Sequence, residues 1–208
     1  MAELTFTYGT MAAGKSTLAL QLCWQLREGR GDVALWTFGD RSDDGMVTSR
    51  IGIEAAAEAI VPGIDIDRNV EELIERGVKI LVIDEAQFAS VAQIDALARL
   101  VDDRDVDEHA FGLSADFLLN LFPSSARLFA IADWAHELPL TSSCWCGKKG
   151  RCNARVVDGV VAREGTQFVT GDVSEGAVHY QVLCRTHYRR GQLSAETPAI
   201  SSGVTAES

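Results

Sequence analysis

The sequence lacks the features that mark membrane and secreted proteins. No window approaches the roughly 18 consecutive apolar residues of a membrane span. The first residues, M-A-E-L-T-F-T-Y, show neither the basic region nor the long apolar stretch of a leader peptide. We therefore expect a cytoplasmic protein with no membrane partner. Its five cysteines are then expected to be reduced and to suit metal binding better than disulfide formation.

Positive charge is also scarce. The formal net charge is −11, and no basic run is longer than the pair Lys148 and Lys149. A polymeric nucleic acid is therefore not the expected partner, because binding it requires a basic surface. The 208 residues, 47% of them hydrophobic, suffice for one substantial core and a small appendage.

One short motif near the N-terminus indicates phosphate binding. Residues 9–17 read G-T-M-A-A-G-K-S-T directly after an apolar run. This is the P-loop pattern: the loop N–H groups wrap a phosphate chain, Lys15 reaches the β and γ phosphates, and Ser16 ligates Mg²⁺. The predicted nucleotide-binding residues of this loop are Gly9, Thr10, Met11, Ala12, Ala13, Gly14, Lys15 and Ser16.

A second motif, K-I-L-V-I-D-E-A-Q-F at residues 79–88, places two acids after a buried-strand pattern. A P-loop opens at the C-terminal edge of a parallel sheet, so Asp84 and Glu85 are predicted to meet the same ligand. In phosphoryl transfer the first acid can hold Mg²⁺ through water, while the second takes a proton from the attacking hydroxyl. The alternative is that both acids cap the following helix. Ala86 and Gln87 complete the predicted nucleotide site.

Apolar strands alternate with helical segments over residues 1–141. The predicted strands are residues 4–8, 33–37, 79–83, 109–113 and 128–132, and the predicted helices are residues 15–28, 47–59, 68–76 and 91–102. This alternation predicts an α/β nucleotide-binding domain over 1–141, with a P-loop (RecA-like) parallel sheet and flanking helices.

The chain changes character after residue 141, where four of the five cysteines lie within residues 142–190. Cys144 and Cys146 form one close pair and Cys184 and His187 another, which is typical of a structural Zn²⁺ site. Cys152 is a surplus ligand that could replace Cys144. We predict a small zinc-stapled lasso subdomain over 142–190, because the segment has too little apolar material for its own core. A disordered tail is predicted over 191–208.

The zinc would staple the ends of a long loop that contains Q-F-V-T-G-D at residues 167–172 and Tyr180. Such a loop could close over a ligand. Ordinary loop packing of Tyr180 is the alternative.

Together and in this order, the motifs resemble those of the class II thymidine kinases, the cytosolic and bacterial type. The other segments that carry the resemblance are F-G-L-S-A-D-F, N-L-F-P-S-S-A-R-L, C-W-C-G-K-K-G-R-C-N-A-R, V-T-G-D and V-L-C-R-T-H-Y. The resemblance covers nearly all of residues 3–190. The bacterial branch shares the C-x-C with a later C-x-x-H.

The resemblance implies a kinase that transfers the γ-phosphate of ATP to the 5′-hydroxyl of thymidine, and of deoxyuridine, in pyrimidine salvage for DNA synthesis. Glu85 stands at the family's catalytic base position, while Lys15 and Mg²⁺ stabilise the transferred phosphoryl group. A homotetramer is also implied. The residues implied around the nucleoside are Met11, Phe88, Leu113, Phe117, Gln167, Phe168, Val169, Thr170, Gly171 and Tyr180.

Two other functions and one local assignment stay open at this point. A P-loop ATPase with a zinc-stabilised lid could act on a macromolecule, and a nucleotide-binding module without activity would not need Glu85. Asp40 and Arg41 stand where the family has D-x-R, but here they have no spacer. A solvated turn is the alternative to a substrate role for that pair.

Overall fold

Six parallel strands form the central sheet of the protein. The computed structural model describes residues 1–30, 32–39, 45–139, 142–167 and 178–194. The strands are β1 (Leu4–Tyr8), β2 (Val33–Phe38), β5 (Glu58–Ile60), β6 (Ile80–Asp84), β7 (Asp107–Gly112) and β8 (Trp134–Glu137). Their order is β5-β2-β6-β7-β1-β8, and every neighbouring pair is parallel. This architecture confirms the predicted α/β fold.

Helices cover both faces of the sheet, as the predicted alternation requires. They are α1 (Lys15–Arg30), α2 (Asp67–Glu75), α3 (Val91–Arg104) and α4 (Pro123–Ile131). One apolar cluster joins the α1 residues Ala19, Leu20 and Cys23 to the sheet. The other includes Leu73, Leu97 and Leu128. All residues of β6 are buried, because a strand in the middle of a parallel sheet has no solvent-facing side.

The helix predicted over residues 47–59 is wrong. Strands β3 (Met46–Thr48) and β4 (Glu54–Ala56) form an antiparallel pair there, followed by β5. The alanines favoured a helix, but Gly52 adopts φ +82° in the turn between the two strands, a conformation that suits glycine. Distant partners also fix the segment, since Glu58 accepts hydrogen bonds from the side chains of Trp36 and Asn69, at 3.0 and 2.7 Å.

The strand predicted over residues 128–132 is also wrong, because most of that segment belongs to α4 and the last strand is β8. Pro123 opens α4, where its missing N–H costs nothing. The hydroxyls of Ser124 and Ser125 fix the helix by donating to the carbonyl oxygens of Gln87 and Leu113, at 2.7 and 2.6 Å. These partners are remote in sequence, so the local apolar run alone was misleading.

The described residues divide into two compact units. The first takes in the described residues of Met1–Asp116 and Asn120–Thr141, including the parallel sheet. The second takes in Phe117–Leu119 and the described residues from Ser142 onward. The domain division predicted from sequence, at residues 141 and 142, did not anticipate the place of Phe117–Leu119 and stays a prediction.

The second unit contains a three-stranded antiparallel sheet, ordered β10-β9-β11, and a short helix. Its elements are β9 (Cys152–Val157), β10 (Val160–Val161), β11 (His179–Leu183) and α5 (Arg185–Arg190). Gly191 ends α5 at φ +64°. Of the predicted tail, residues 195–208 lie outside the described residues. Among the helices described in either unit, none has the length and apolar character that crossing a membrane requires.

Candidate active site and metal centre

The P-loop forms a turn between β1 and α1. Ala12 and Gly14 have φ of +57° and +87°, so successive N–H groups turn toward one side, as in a phosphate-binding nest. Gly9 is confined by packing, since a Cβ there would lie 3.2 Å from Ala13 Cβ. Lys15 is only 8% exposed and donates through Nζ to the Thr10 carbonyl oxygen at 3.0 Å. The lysine is therefore held at the loop that it would serve.

The acids of the second motif stand at the C-terminal end of β6. Asp84 is buried, and its Oδ1 has no hydrogen-bond partner among the residues that the structure describes. Burial and then the adjacent Glu85 carboxylate raise the pKa of Asp84 to about 6, against the opposing effects of Ser16 and Lys15. Such an orphaned carboxylate oxygen next to the Ser16 hydroxyl fits a hard divalent cation, which prefers oxygen ligands.

A cavity of about 350 Å³ joins the two motifs. Its lining includes Met11, Ala12, Gly14, Lys15, Ser16, Asp84, Glu85 and Leu113. The structure thus brings together residues predicted for phosphate binding, metal binding, proton transfer and nucleoside contact. Glu85 is half-buried and adopts φ +56°. A left-handed glutamate is uncommon, and strain of this kind concentrates at functional sites.

The sequence analysis missed seven lining residues of this cavity, one from β2 and the others from β3 and the turn after it. The missed lining residues are Thr37, Met46, Val47, Thr48, Ser49, Arg50 and Ile51. The turn is well defined: Ser49 Oγ accepts from the Ile53 N–H at 3.1 Å, and the Ser49 N–H donates to the Ile53 carbonyl oxygen at 2.8 Å. It brings a second cation, Arg50, into the cavity lining that also contains Lys15. The segment T-S-R-I-G-I could have signalled a turn between two strands through its β-branched residues and glycine.

Gln87 is 1% exposed and does not line this cavity. Its side-chain amide donates a hydrogen bond to Glu85 Oε2, and its Oε1 accepts the Leu113 N–H at 2.9 Å. Gly112 leaves room for it, because a Cβ there would lie 2.9 Å from that oxygen. Gln87 therefore holds the Glu85 carboxylate, while its nucleotide contact and that of the buried Ala86 stay predictions.

Phe88 lies outside the residues that line the cavity, although it stands in the same unit. Its half-buried ring packs edge-on against Phe122 at 6.4 Å between centroids. Gly39 is required beside it, since a Cβ there would come within 2.6 Å of the ring. Neither Phe122 nor Gly39 was singled out from sequence.

In the second unit, Phe117, Gln167 and Tyr180 gather around one side chain, that of Arg155. Arg155 ends one of the segments that carry the family resemblance, but no role was predicted for it from the sequence. The predicted substrate residues Phe168, Val169, Thr170 and Gly171 lie outside the described residues, as do Asp40 and Arg41.

Cys144, Cys146, Cys184 and His187 bring one ligand atom each within 4.8 Å of one another. Cys144 Sγ lies 3.3 Å from His187 Nδ1, and Cys146 Sγ lies 4.0 Å from Cys184 Sγ. Tetrahedral Zn²⁺ with Zn–S bonds of about 2.3 Å requires separations of roughly 3.5 to 3.8 Å. The donor set therefore fits zinc. Cys152 is buried at the start of β9 and is not part of this group.

Comparison with known proteins places the chain in a family. The family model for thymidine kinase matches residues 2–188. The chain is 44% identical over 194 residues to the thymidine kinase of Cutibacterium acnes, covering 92% of this chain and 90% of that protein. It is 45% identical over 204 residues to the thymidine kinase of Streptomyces avermitilis, covering 96% and 94%. The family resemblance predicted from sequence is confirmed: the chain belongs to the thymidine kinase family.

Proposed function

We propose that the protein transfers the terminal phosphate of ATP to the 5′-hydroxyl of thymidine, and of deoxyuridine, and so forms the nucleoside monophosphate. One observation carries this proposal: the P-loop turn and the acids at the end of β6 line a single cavity together with Met11 and Leu113. Phosphate-binding, proton-accepting and apolar groups therefore converge at one place, as a transfer between nucleotide and nucleoside requires.

The triphosphate is assigned to the P-loop. The N–H groups of the turn and the first turn of α1 would cradle the phosphates, with Lys15 and Arg50 as the cations that face them. Ser16 and Asp84 would hold Mg²⁺, which when bound neutralises charge on the phosphate oxygens. Asp84 must be ionised for this role. Protons compete with Mg²⁺ for this carboxylate, so a pKa of about 6 without bound metal predicts that Mg²⁺ affinity weakens as the pH falls below about 6.

Glu85 is assigned as the general base. Its carboxylate lines the cavity, and Gln87 orients it through a hydrogen bond to Oε2. The other carboxylate oxygen would accept the proton of the 5′-hydroxyl as that oxygen attacks the terminal phosphorus. Lys15 would stabilise the negative charge on the transferred group.

The nucleoside is assigned to the cavity that Met11 and Leu113 help to line, where these two side chains would give it apolar contacts. The family resemblance adds Phe88 from the first unit and Phe117, Gln167 and Tyr180 from the second. Aromatic faces suit a flat base, and backbone groups suit its polar edge. These assignments remain predictions that substitution can test.

Zinc is assigned to Cys144, Cys146, Cys184 and His187, where a structural ion would tie the start of the second unit to α5. We also carry over from the family a homotetrameric state in the cytoplasm. Sedimentation equilibrium at several protein concentrations would test the tetramer, and a monomer throughout would refute it.

The decisive assay incubates the protein with Mg-ATP and thymidine and follows thymidine monophosphate and free phosphate separately. We expect monophosphate to form in step with ADP and free phosphate to stay at background. Phosphate release without thymidine would indicate an ATPase instead. Tight ATP binding without turnover would indicate a module that only binds nucleotide.

A further inference from the structure

Arg155 is a buried cation in the second unit. It lies in β9, opposite Tyr180 of β11, and is 5% exposed. A guanidinium stays charged at all accessible pH values, and burying a charge is costly unless other groups compensate it. The groups that contact Arg155 therefore compensate the cost of burying its charge, and moving them away would be unfavourable.

Four groups from three chain segments compensate the Arg155 charge. Its Nε donates to the Tyr180 hydroxyl oxygen at 2.9 Å, and its two terminal nitrogens donate to the carbonyl oxygens of Thr166 and Gln167 at 3.0 and 3.4 Å. The guanidinium carbon lies 3.8 Å from the centroid of the Phe117 ring, within the range of a cation–π interaction. Among the described residues, no aspartate or glutamate forms an ion pair with it.

The planar shape of the guanidinium makes this arrangement specific. The ring of Phe117 covers one face, and the donors in the plane point to Tyr180 and to the two carbonyl groups. A lysine ammonium could keep the charge, but it could not stack on a ring and direct fixed donors at the same time. The guanidinium therefore sets the relative positions of Phe117, Tyr180 and Gln167, three of the residues predicted around the nucleoside.

We propose that Arg155 is the positioning residue of the nucleoside side of the site. It acts through Phe117, Tyr180 and Gln167, whose own placement around thymidine belongs to the proposed function on which this inference rests. Because it orders groups that bind the nucleoside rather than those that hold phosphate, its loss should weaken thymidine binding selectively.

The test compares steady-state kinetics of Arg155→Lys with those of Arg163→Lys. Arg163 is a matched control in the same unit, since its guanidinium carbon lies 4.5 Å from the Tyr188 ring and it donates to a backbone carbonyl, but its side chain is exposed. We expect Arg155→Lys to raise the KM for thymidine ~10-fold or more, with kcat and the KM for ATP changed less than ~3-fold. The control should leave all three within ~2-fold.

Zinc content and Tm separate positioning from general support of the fold. Full zinc content together with the selective change in KM supports the proposal. Loss of zinc, or an equal fall in kcat and in ATP affinity, would overturn it. An unchanged KM for thymidine in Arg155→Lys would overturn it as well.

A milder variant keeps the proposal testable should Arg155→Lys fold poorly. Tyr180→Phe removes only the hydroxyl that accepts from Arg155. By itself it should raise the KM for thymidine ~3-fold or more and leave the KM for ATP unchanged, and an unchanged thymidine KM would count against the proposal. Where Arg155→Lys also folds, the effects of the two changes on the thymidine KM should combine in the double variant to less than their product, because both changes break the same contact. Independent, multiplicative effects would count against the proposal.

A last variant separates this inference from the proposed function. If Tyr180→Ala raises the KM for thymidine while Arg155→Lys does not, only the role of Arg155 fails. If neither Tyr180→Ala nor Phe117→Ala affects that KM, the predicted placement of the nucleoside itself fails.

Discussion

The two units are stabilised in different ways. The first buries apolar side chains on both faces of a parallel sheet. The second has one small cluster, in which Cys144, Cys152 and Cys184 stand among Ala154, Val161, Leu183 and Tyr188. So small a core gives little hydrophobic stabilisation. The comparison indicates that the first unit is stabilised mainly by apolar packing, whereas we expect the second to depend on the proposed zinc ion and on the contacts of one buried charge.

Removing the metal should give the largest effect, and it should destabilise the second unit while leaving the first folded. We expect Cys184→Ser to release zinc and unfold the second unit, because a structural zinc contributes on the order of 10 kcal/mol to folding. Hydrogen exchange would measure this locally: amides of β9 and β11 should exchange fast, while those of β6 stay protected.

Cys152→Ser is the matched control, since that thiol is buried in the same cluster but lies outside the ligand group. It should keep the metal. Loss of zinc from Cys152→Ser with retention in Cys184→Ser would show that the ligand set is misassigned.

A change at the base should remove turnover and leave both units folded. Glu85→Gln keeps the size of the side chain but cannot accept the proton, so kcat should fall ~10²- to 10⁴-fold. Titration calorimetry should find an ATP affinity close to that of the wild type, and elemental analysis should find a similar zinc content. A kcat within a few-fold of the wild type would remove Glu85 as base.

Buried ionisable groups sharpen the contrast between the units. Arg155 in the second unit is charged and surrounded by partners, whereas both carboxylate oxygens of Glu108 in the first find no hydrogen-bond partner within the described part of the chain. Burial raises the pKa of Glu108 to about 8 from 4.5. The folded protein therefore keeps this proton across a range in which the unfolded chain releases it.

The stability of the first unit should fall as pH rises from about 4.5 to about 8. The unfolded chain binds fewer protons than the native one in this window, so the loss is roughly 1 kcal/mol per pH unit. Urea unfolding of the wild type and of Glu108→Gln at pH 5 and pH 8 would measure it. The variant should gain stability over the wild type toward pH 8, and parallel pH curves would contradict the assignment.

The smallest predicted effect concerns the backbone of the P-loop. Ala12 pays a steric cost at φ +57°, so Ala12→Gly should stabilise the first unit by up to about 1 kcal/mol, less the entropy that glycine adds to the unfolded chain. Ala13→Gly is the control: Ala13 is buried and is not left-handed, so glycine there should destabilise. Urea unfolding of both variants would show opposite signs, and equal signs would refute the idea of strain.

The candidate site was largely predictable where a few adjacent residues carry the chemistry. The spacing of Gly9, Gly14 and Lys15 predicted the turn between β1 and α1, and the acids after four aliphatic residues predicted the end of β6. The pairs Cys144 with Cys146 and Cys184 with His187 were likewise visible from spacing. These features are local, because each depends on a turn or a strand end formed by its own residues.

Features that depend on distant partners were not predictable in this way. The alanines near residue 57 favour a helix locally, but the structure has strands there, and Glu58 is hydrogen-bonded to the distant Trp36. The apolar run at residue 128 resembles a strand, but it lies in a helix that Ser124 and Ser125 anchor to distant carbonyl groups. The β3–β4 hairpin, whose turn contains the cavity residue Arg50, lies in the segment for which a helix was predicted. Contacts between residues far apart in sequence overrode local preference at both places.

By itself, the sequence predicted a P-loop, two acids at a strand end and two close pairs of zinc-type ligands with Cys152 as an alternative to Cys144, and it carried the motifs of a kinase family. Only the tertiary structure decided that Arg50 lines the cavity shared by the P-loop and the β6 acids, that Gln87 hydrogen-bonds to Glu85, and that Arg155 contacts three predicted substrate residues. The physical reason is that spacing encodes short-range geometry. The partners of a buried polar group, by contrast, are set by which distant segments the fold brings within hydrogen-bonding distance.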